Sequence, residues 1–135
     1  MDTREDYYEM YHCHTELSLL DSCTKYQEYV DLAVKNGQKA LSISEHGKPM
    51  NWTEKWAACK KAGLRYIHSV EIYLTEQLEP KVRDNYHTVL MARNMAGVLE
   101  LNELITKSCD KEHSYYTNRI SFDEFCRRIK MARNG

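Results

Sequence analysis

The chain has 135 residues, 42% hydrophobic and 29% charged, which is one domain's worth of sequence with enough apolar material to bury a core. Lys and Arg total 19 against 20 Asp and Glu, a net charge of −1, so no global basic field draws it to nucleic acid and any such binding is local. The composition, with 5 Gly and 2 Pro, excludes disorder and linker character; no run of 18 apolar residues could span a membrane, and the polar start Met-Asp-Thr-Arg-Glu-Asp is not a signal peptide, so a cytoplasmic location is expected.

Taken in chain order, Tyr8–Cys13 reads as a short strand, preceded and entered by Tyr7, Tyr8 and Tyr11. Thr24-Lys25-Tyr26-Gln27 has the form of a capping box. It opens a helix with Tyr26, Tyr29, Val30, Ala33 and Val34 on one face, ended by Asn36-Gly37. Ala40–Ser44 is a short strand. Asn51 is placed to cap a second helix carrying Trp52, Trp56 and Cys59 on one face and stopping at Gly63. Leu64–Leu74 is a longer strand rich in β-branched and aromatic residues. A polar loop over 76–85 leads to a strand over 87–92. Asn94 opens a third helix with Val98, Leu101, Leu104 and Ile105 inward. Residues 109–119 are polar and read as loop. Ser121-Phe122-Asp123-Glu124 is another capping box, and Phe122, Phe125, Cys126 and Ile129 mark the inner face of a fourth helix. Strands alternating with helices of this length imply βα units and a parallel sheet, so the fold class is α/β. No strand follows the last helix, which reads as a chain that stops partway through such an array.

The five cysteines (Cys13, Cys23, Cys59, Cys109, Cys126) are odd in number and form no CxxC pair, which fits a reducing compartment. The chemistry-bearing residues sit at predicted strand ends. His12 and His14 are two apart, so on a strand both imidazoles project from one face, with Cys13 opposite as a small buried hydrophobe. Two ordinary strand-end histidines would look the same. Asp21 follows in a Ser-Leu-Leu-Asp-Ser turn. Glu45 and His46, in Ser44-Glu45-His46-Gly47, stand at the tip of the second strand, where βα enzymes place their sites. Glu71 lies inside an apolar strand, a costly position unless the carboxylate is paired, ligated or turned to the surface. His87 opens the fourth strand. His68 falls on the other face from Glu71, and His113 reads as solvated. Together these residues put a histidine, a carboxylate or both at the end of every predicted strand. Such a mixed set suits Zn, Mn or Fe ions, which activate water and neutralise phosphate oxygens. No Ser-His-Asp elbow, P-loop or GxGxxG competes.

The ordered set resembles a known family. The segment from Tyr11 through His12, His14 and Ser18-Leu19-Leu20-Asp21 is similar to the opening motif of the polymerase-and-histidinol-phosphatase (PHP) domain. Its Ser-Leu-Leu-Asp form resembles the branch at the N-terminus of bacterial or phage replicative polymerases of the DNA polymerase III alpha type. Ser44-Glu45-His46-Gly47 is similar to that family's Thr-Asp-His-Gly, and Lys60-Lys61-Ala62-Gly63-Leu64 with Val70-Glu71-Ile72-Tyr73 to its Lys-Lys-Ala-Gly-Ile and Glu-Val-Tyr. Tyr86-His87-Thr88-Val89-Leu90-Met91-Ala92 resembles its fourth strand, and 102–108 and 119–125 its following segments.

The resemblance implies a distorted (β/α)7 barrel, of which residues 1–135 are the first half, and up to three divalent metal ions. It carries ligand positions onto His12, His14, Asp21, His46, Glu71 and His87. Glu45 stands where the family usually has Asp, beside the ligands, and Ser22 and Ser69 replace usual glycines. The family's three further ligands, a Cys or His and then an Asp-x-His, are not in this sequence. The implied function is the PHP segment of a replicative polymerase with a metal-dependent phosphoesterase or 3′–5′ exonuclease type of site, weak or inactive in this chain alone. A free-standing phosphoesterase on a small phosphate monoester and a non-catalytic structural module are the alternatives. DNA and the rest of the polymerase are the implied partners, with no membrane. The uncovered half barrel is expected to self-associate.

Overall fold

The structure is a computed structural model that describes residues 8–132; Tyr7 and the acidic start lie outside the described residues. The chain forms two compact units. One runs to Glu45 and includes Pro49–Ser69; the other comprises His46–Lys48 and the chain from Val70 onward. The elements are α1 (Tyr26–Lys35), β1 (Ala40–Ser42), α2 (Trp52–Lys61), β2 (Arg65–Ile67), β3 (Ser69–Thr75), β4 (Tyr86–Met91), α3 (Met95–Ser108), β5 (Ser114–Tyr115), β6 (Thr117–Ser121) and α4 (Phe122–Ala132). The mixed α/β class and the parallel pairing expected from the βα alternation are both present. Among the described residues no helix is long and apolar enough to cross a membrane.

In the first unit β1 and β2 pair in parallel, Ala40 opposite Arg65 and Ser42 opposite Ile67. Val30 and Ala33 of α1, Leu41, Ile43, Cys59 of α2 and Leu64 form its core, with Met10, Tyr26, Tyr29, Ala58 and Tyr66 packed around them. The expected strand over 8–13 is instead an irregular extended segment. Ser42 donates its N–H to the Met10 carbonyl (3.1 Å) and Ser44 to the Cys13 carbonyl (2.9 Å). Two steps along one segment thus match three along the other, and the extra residue breaks the ladder as a bulge does. The α1 capping box lies one residue later than expected: Glu28, not Gln27, takes the N–H of Lys25 (2.8 Å), while Gln27 donates to Asp31 (2.9 Å). Val34 is exposed rather than inward.

Helix α2 turns a different face inward from the one its tryptophans suggest. Cys59 and Lys55, one helical turn apart, are fully buried, whereas Trp52 and Trp56 are 36% and 46% exposed. Asn51 is left-handed (φ 49°), and its side chain makes no capping bond. Gly63 ends the segment at φ +75°, in the left-handed region its lack of Cβ permits.

The expected strand over 64–74 is cut at His68. β2 pairs with β1, and β3 belongs to a four-stranded sheet of order β4-β3-β6-β5. β3 and β6 are parallel, Tyr73 opposite Arg119 and Thr75 opposite Ser121, and β5–β6 is a tight antiparallel hairpin. Residues 109–119, expected as loop, therefore contain strand. Their polarity hides it because the face opposite Ile120 is buried through a charged residue, Arg119. Arg119 is 1% exposed, donating to the carbonyls of Val82 (2.6 Å) and His113 (3.3 Å) with its guanidinium over the Tyr115 ring. The core of this unit is Val70, Ile72 and Leu74 of β3, Leu101, Leu104 and Ile105 of α3, and Ile120 of β6, with Leu90 and Phe125 against it. Asn94 caps α3 as expected, accepting the Gly97 N–H (3.0 Å). Ser121 caps α4, accepting the Glu124 N–H (3.3 Å). On α4, Phe125 packs inward, but Phe122, Cys126 and Ile129 stay exposed.

His113 is not solvated as expected. It is 5% exposed and its Nε2 lies 2.8 Å from the Glu124 carboxylate, which also receives Lys107 Nζ at 2.8 Å. Burial pushes the Glu124 carboxyl up, but the hydrogen bonds and charges of Lys107 and His113 outweigh it and hold its pKa at about 2, against 4.5 unperturbed. A carboxyl with a depressed folded-state pKa stabilises the fold above its unfolded value and loses that contribution as pH falls through the folded one. The stability gap between the wild type and Glu124→Gln, at most about 3 kcal/mol near neutral pH, should therefore shrink from pH 4.5 to 2. Urea denaturation at a series of pH values checks this; parallel pH curves for the two proteins would contradict it.

Candidate metal centre

In the second unit, a carboxylate and two imidazoles converge on one face of β3. Side chains alternate along a strand, so Val70, Ile72 and Leu74 enter the core while Glu71, Tyr73 and Thr75 share the opposite face. Glu71 is 2% exposed. His46 forms an isolated parallel bridge with Glu71, and the Gly47 N–H donates to the Glu71 carbonyl (2.7 Å), so the His46–Gly47 step is docked alongside β3. Gly47 has φ +65°, the sharp left-handed turn that a side chain would strain.

His46 Nδ1 lies 3.4 Å from Glu71 Oε1, and His87 Nδ1, from the start of β4, contacts the same oxygen. The two imidazoles are 6.1 Å apart at an interplanar angle of 81°. One ligand atom from each of His46, Glu71 and His87 lies within 4.8 Å of the others. The set is graded from inside out: Glu71 is buried, His46 is 28% exposed and His87 is 58% exposed. Two neutral nitrogen donors and one anionic oxygen donor are a borderline-soft set that fits Zn or a neighbouring first-row ion and leaves coordination positions open.

In the first unit the structure brings His12 and His14 together, Nε2 to Nε2 at 3.2 Å, their rings 5.0 Å apart and edge-on. The Tyr29 hydroxyl donates to the His14 carbonyl (3.0 Å), tying this segment to α1. Asp21 is exposed, on a turn in which its N–H donates to the Ser18 carbonyl (3.1 Å) and Leu20 is left-handed at φ 67°. Cys13 is half-buried, and burial, then the Glu45 charge, push its thiol pKa up, in keeping with an inert side chain. His68 is buried and packs its ring edge-on against Trp52 (5.3 Å) and Tyr66 (6.3 Å).

Glu45 is fully buried in the first unit and is saturated by donors. It accepts the Thr15 N–H (3.0 Å), the Thr15 hydroxyl, the Ser18 hydroxyl (2.5 Å) and Lys55 Nζ (2.6 Å). Burial raises its pKa, but the bonds from Lys55, Ser18 and Thr15 outweigh this and hold it below the usual range. Burial also lowers the Lys55 pKa, which the Glu45 charge partly restores. The pair clamps 15–18, the stretch between His14 and Asp21, against α2. Lys55 has no place in the motif-based reading. Its signal was positional, four residues before the buried Cys59 on the same helical stripe. Removing one partner of a buried pair leaves the other uncompensated, so Lys55→Ala should cost roughly 3–5 kcal/mol. Glu45→Gln/Lys55→Met should cost much less. Denaturant titrations read both, and a Lys55→Ala protein as stable as the wild type would refute the clamp.

The family model for the PHP domain matches residues 10–132. DNA polymerase III subunit alpha of Aquifex aeolicus is 32% identical over 123 residues, covering 83% of this chain and 10% of that protein. DNA polymerase III PolC-type of Streptococcus pneumoniae is 35% identical over 124 residues, covering 85% of this chain and 8% of that protein. The chain thus spans about a tenth of the length of these relatives. Among solved structures, a Bifidobacterium adolescentis protein assigned as a metal-dependent phosphoesterase shares the fold with a TM-score of 0.52 and 20% identity, over 74% of this chain and 32% of that one. A Chromobacterium violaceum amidohydrolase does so with a TM-score of 0.51 and 16% identity, over 92% and 50%. With its motifs in order and a family match over nearly its whole length, the chain belongs to the PHP domain family.

Proposed function

We propose that this chain is the PHP segment of a replicative polymerase of the DNA polymerase III alpha type, carrying a divalent-metal site of the phosphoesterase or 3′–5′ exonuclease kind. The observation that carries this is the convergence of His46, Glu71 and His87, each on a family ligand position, around a buried carboxylate. The identity to polymerase III relatives supports the polymerase branch over a free-standing enzyme. In the same reading His12, His14 and Asp21 are ligands too, and the parallel pairs β1–β2 and β3–β6 are parts of a (β/α)7 barrel. The partners are DNA and the rest of the polymerase.

When bound, Zn, Mn or Fe ions supply a Lewis acid for phosphate oxygens and lower the pKa of a coordinated water. The chain's own residues do the rest. Glu71 supplies a fixed negative charge that β3 holds in place. His46 and His87 supply nitrogen lone pairs once deprotonated, and the open side at His87 gives a phosphate access. Because imidazole ligands must lose their protons, acid should weaken binding.

The purified chain should therefore retain Zn, Mn or Fe through dialysis, less so at acid pH, and Glu71→Ala and His87→Ala should lose it. Elemental analysis against those variants checks this; equal metal content in all three proteins would remove the site. The six ligand positions are fewer than the nine that the family resemblance implies, so Mn²⁺-dependent release of nucleotides from single-stranded DNA should be negligible for this chain alone. Robust release abolished by His14→Ala would show that the six suffice.

A further inference from the structure

Two arginines of the second unit converge on the β5–β6 hairpin. The Arg83 guanidinium lies 4.4 Å over the Tyr116 ring and the Arg119 guanidinium 5.5 Å over the Tyr115 ring. The two rings meet edge-on (83°, centroids 4.8 Å apart). Neither arginine forms an ion pair among the described residues, although Asp84 follows Arg83 directly. Arg119 is buried and directs its N–H groups to the carbonyls of Val82 and His113. Arg83 is exposed, and among the described residues no hydrogen-bond acceptor holds its N–H groups.

An exposed arginine ordinarily keeps its rotamer freedom. The surroundings of Arg83 restrict it. Its loop is tied to the hairpin on both sides, at the Val82 carbonyl by Arg119 Nη1 (2.6 Å) and at Asn85, whose Nδ2 donates to Thr117 Oγ1 (3.2 Å). Stacking on Tyr116 fixes the guanidinium plane and leaves its N–H edge open, the arrangement that takes a phosphate through two parallel hydrogen bonds. Tyr116 is the single residue between β5 and β6, left-handed at φ 61° and 79% exposed. Glycine or asparagine would make that turn at less cost, and strain of this kind collects at ligand-contacting positions.

The group is placed close to the metal centre. Arg119 is opposite Tyr73 in the β3–β6 register, so it stands on the sheet face that carries Glu71. Arg83 is four residues before His87, so their Cα atoms are at most about 14 Å apart. A stacked nucleic-acid strand advances about 3.4 Å per nucleotide, which puts a phosphate on Arg83 within a few nucleotides of one at His87. The exposed Tyr116 ring offers a π surface to an unstacked base. With a net charge of −1 the chain has no general field for nucleic acid, so a local group of this kind has to supply the contact.

We propose that Arg83 and Tyr116 form a phosphodiester-binding site for single-stranded nucleic acid, with Arg83 on a backbone phosphate and Tyr116 against a base. The choice of nucleic acid over another phosphate rests on the proposed phosphodiester chemistry of His46, Glu71 and His87.

Fluorescence anisotropy of a short labelled oligothymidylate with the 135-residue chain, in EDTA, tests it. Arg83→Gln should bind about tenfold more weakly, the loss of one charge-assisted contact. It should also lower the slope of log Kd against log salt by about 0.7, the share of one phosphate contact on a single strand. Arg83→Lys should restore the slope but not the full affinity, because an ammonium carries the charge without the flat two-donor edge. Tyr116→Asn, which suits the left-handed turn, should weaken binding with the slope unchanged. Wild-type affinity and slope in Arg83→Gln overturn the proposal. So does displacement of the oligonucleotide by inorganic phosphate as readily as by unlabelled oligonucleotide at equal phosphate concentration. Elemental analysis of the same proteins separates this site from the metal reading. A wild type that retains metal but binds no oligonucleotide removes this site alone. A wild type that retains no metal, yet loses oligonucleotide binding on Arg83→Gln, removes the metal reading and upholds the strand-binding site.

Discussion

A carboxylate held at 2% exposure in the middle of an apolar strand is the constraint around which the second unit is arranged. An ionised carboxylate moved out of water costs several kcal/mol unless charge or hydrogen-bond donors compensate it. Glu71 cannot swing away to solvent, because β3 is flanked by β4 and β6 and its alternate residues are committed to the core. Compensation therefore has to come to the carboxylate. It arrives from His46, docked by the Glu71 backbone itself, and from His87 at the start of the neighbouring strand. Imidazoles suit this place because the nitrogen facing the carboxylate can carry a proton in the absence of metal and the ring can donate a lone pair in its presence.

The first unit meets the same electrostatic problem differently. Glu45 is as deeply buried as Glu71, but a lysine, two hydroxyls and a backbone N–H occupy its oxygens. An ammonium, two hydroxyls and a backbone N–H compensate the carboxylate where it stands. The contrast separates the two carboxylates more sharply than burial does. Glu45 organises the loop between His14 and Asp21; Glu71 faces groups whose protonation and ligation are exchangeable. A similar saturated cluster, Lys107 and His113 on Glu124, joins α3, the β5 approach and α4 with no sign of a ligand role.

Much of this was legible in the sequence. Period-2 and period-3.6 patterns located β4, α1, α3 and α4 to within a residue or two, and the Asn94 and Ser121 caps formed as read. Those signals are local: a cap or an amphipathic stripe is set by residues within one or two turns of each other. The failures share a cause. The bulge between 10 and 13, the break at His68 and the strand in 117–121 each depend on a partner 25 or more residues away along the chain, and the burial of Lys55 on a buried charge outside its own helix. A polar residue that is buried because its partner is buried too has no hydrophobic signature.

By itself the sequence determined the family, since His12, His14, Asp21, Glu45, His46, Glu71 and His87 fall in a motif order and spacing specific enough to place the chain in it. It also determined the α/β class, because alternating strand and helix periodicities leave parallel pairing as the economical arrangement. Only the tertiary structure decided what each carboxylate does. Glu45 and Glu71 are both glutamates close to a strand end, and no local rule distinguishes them. Their roles follow from whether folding brings them an ammonium and hydroxyls or a pair of imidazoles, and that depends on distances across the chain that sequence spacing does not encode.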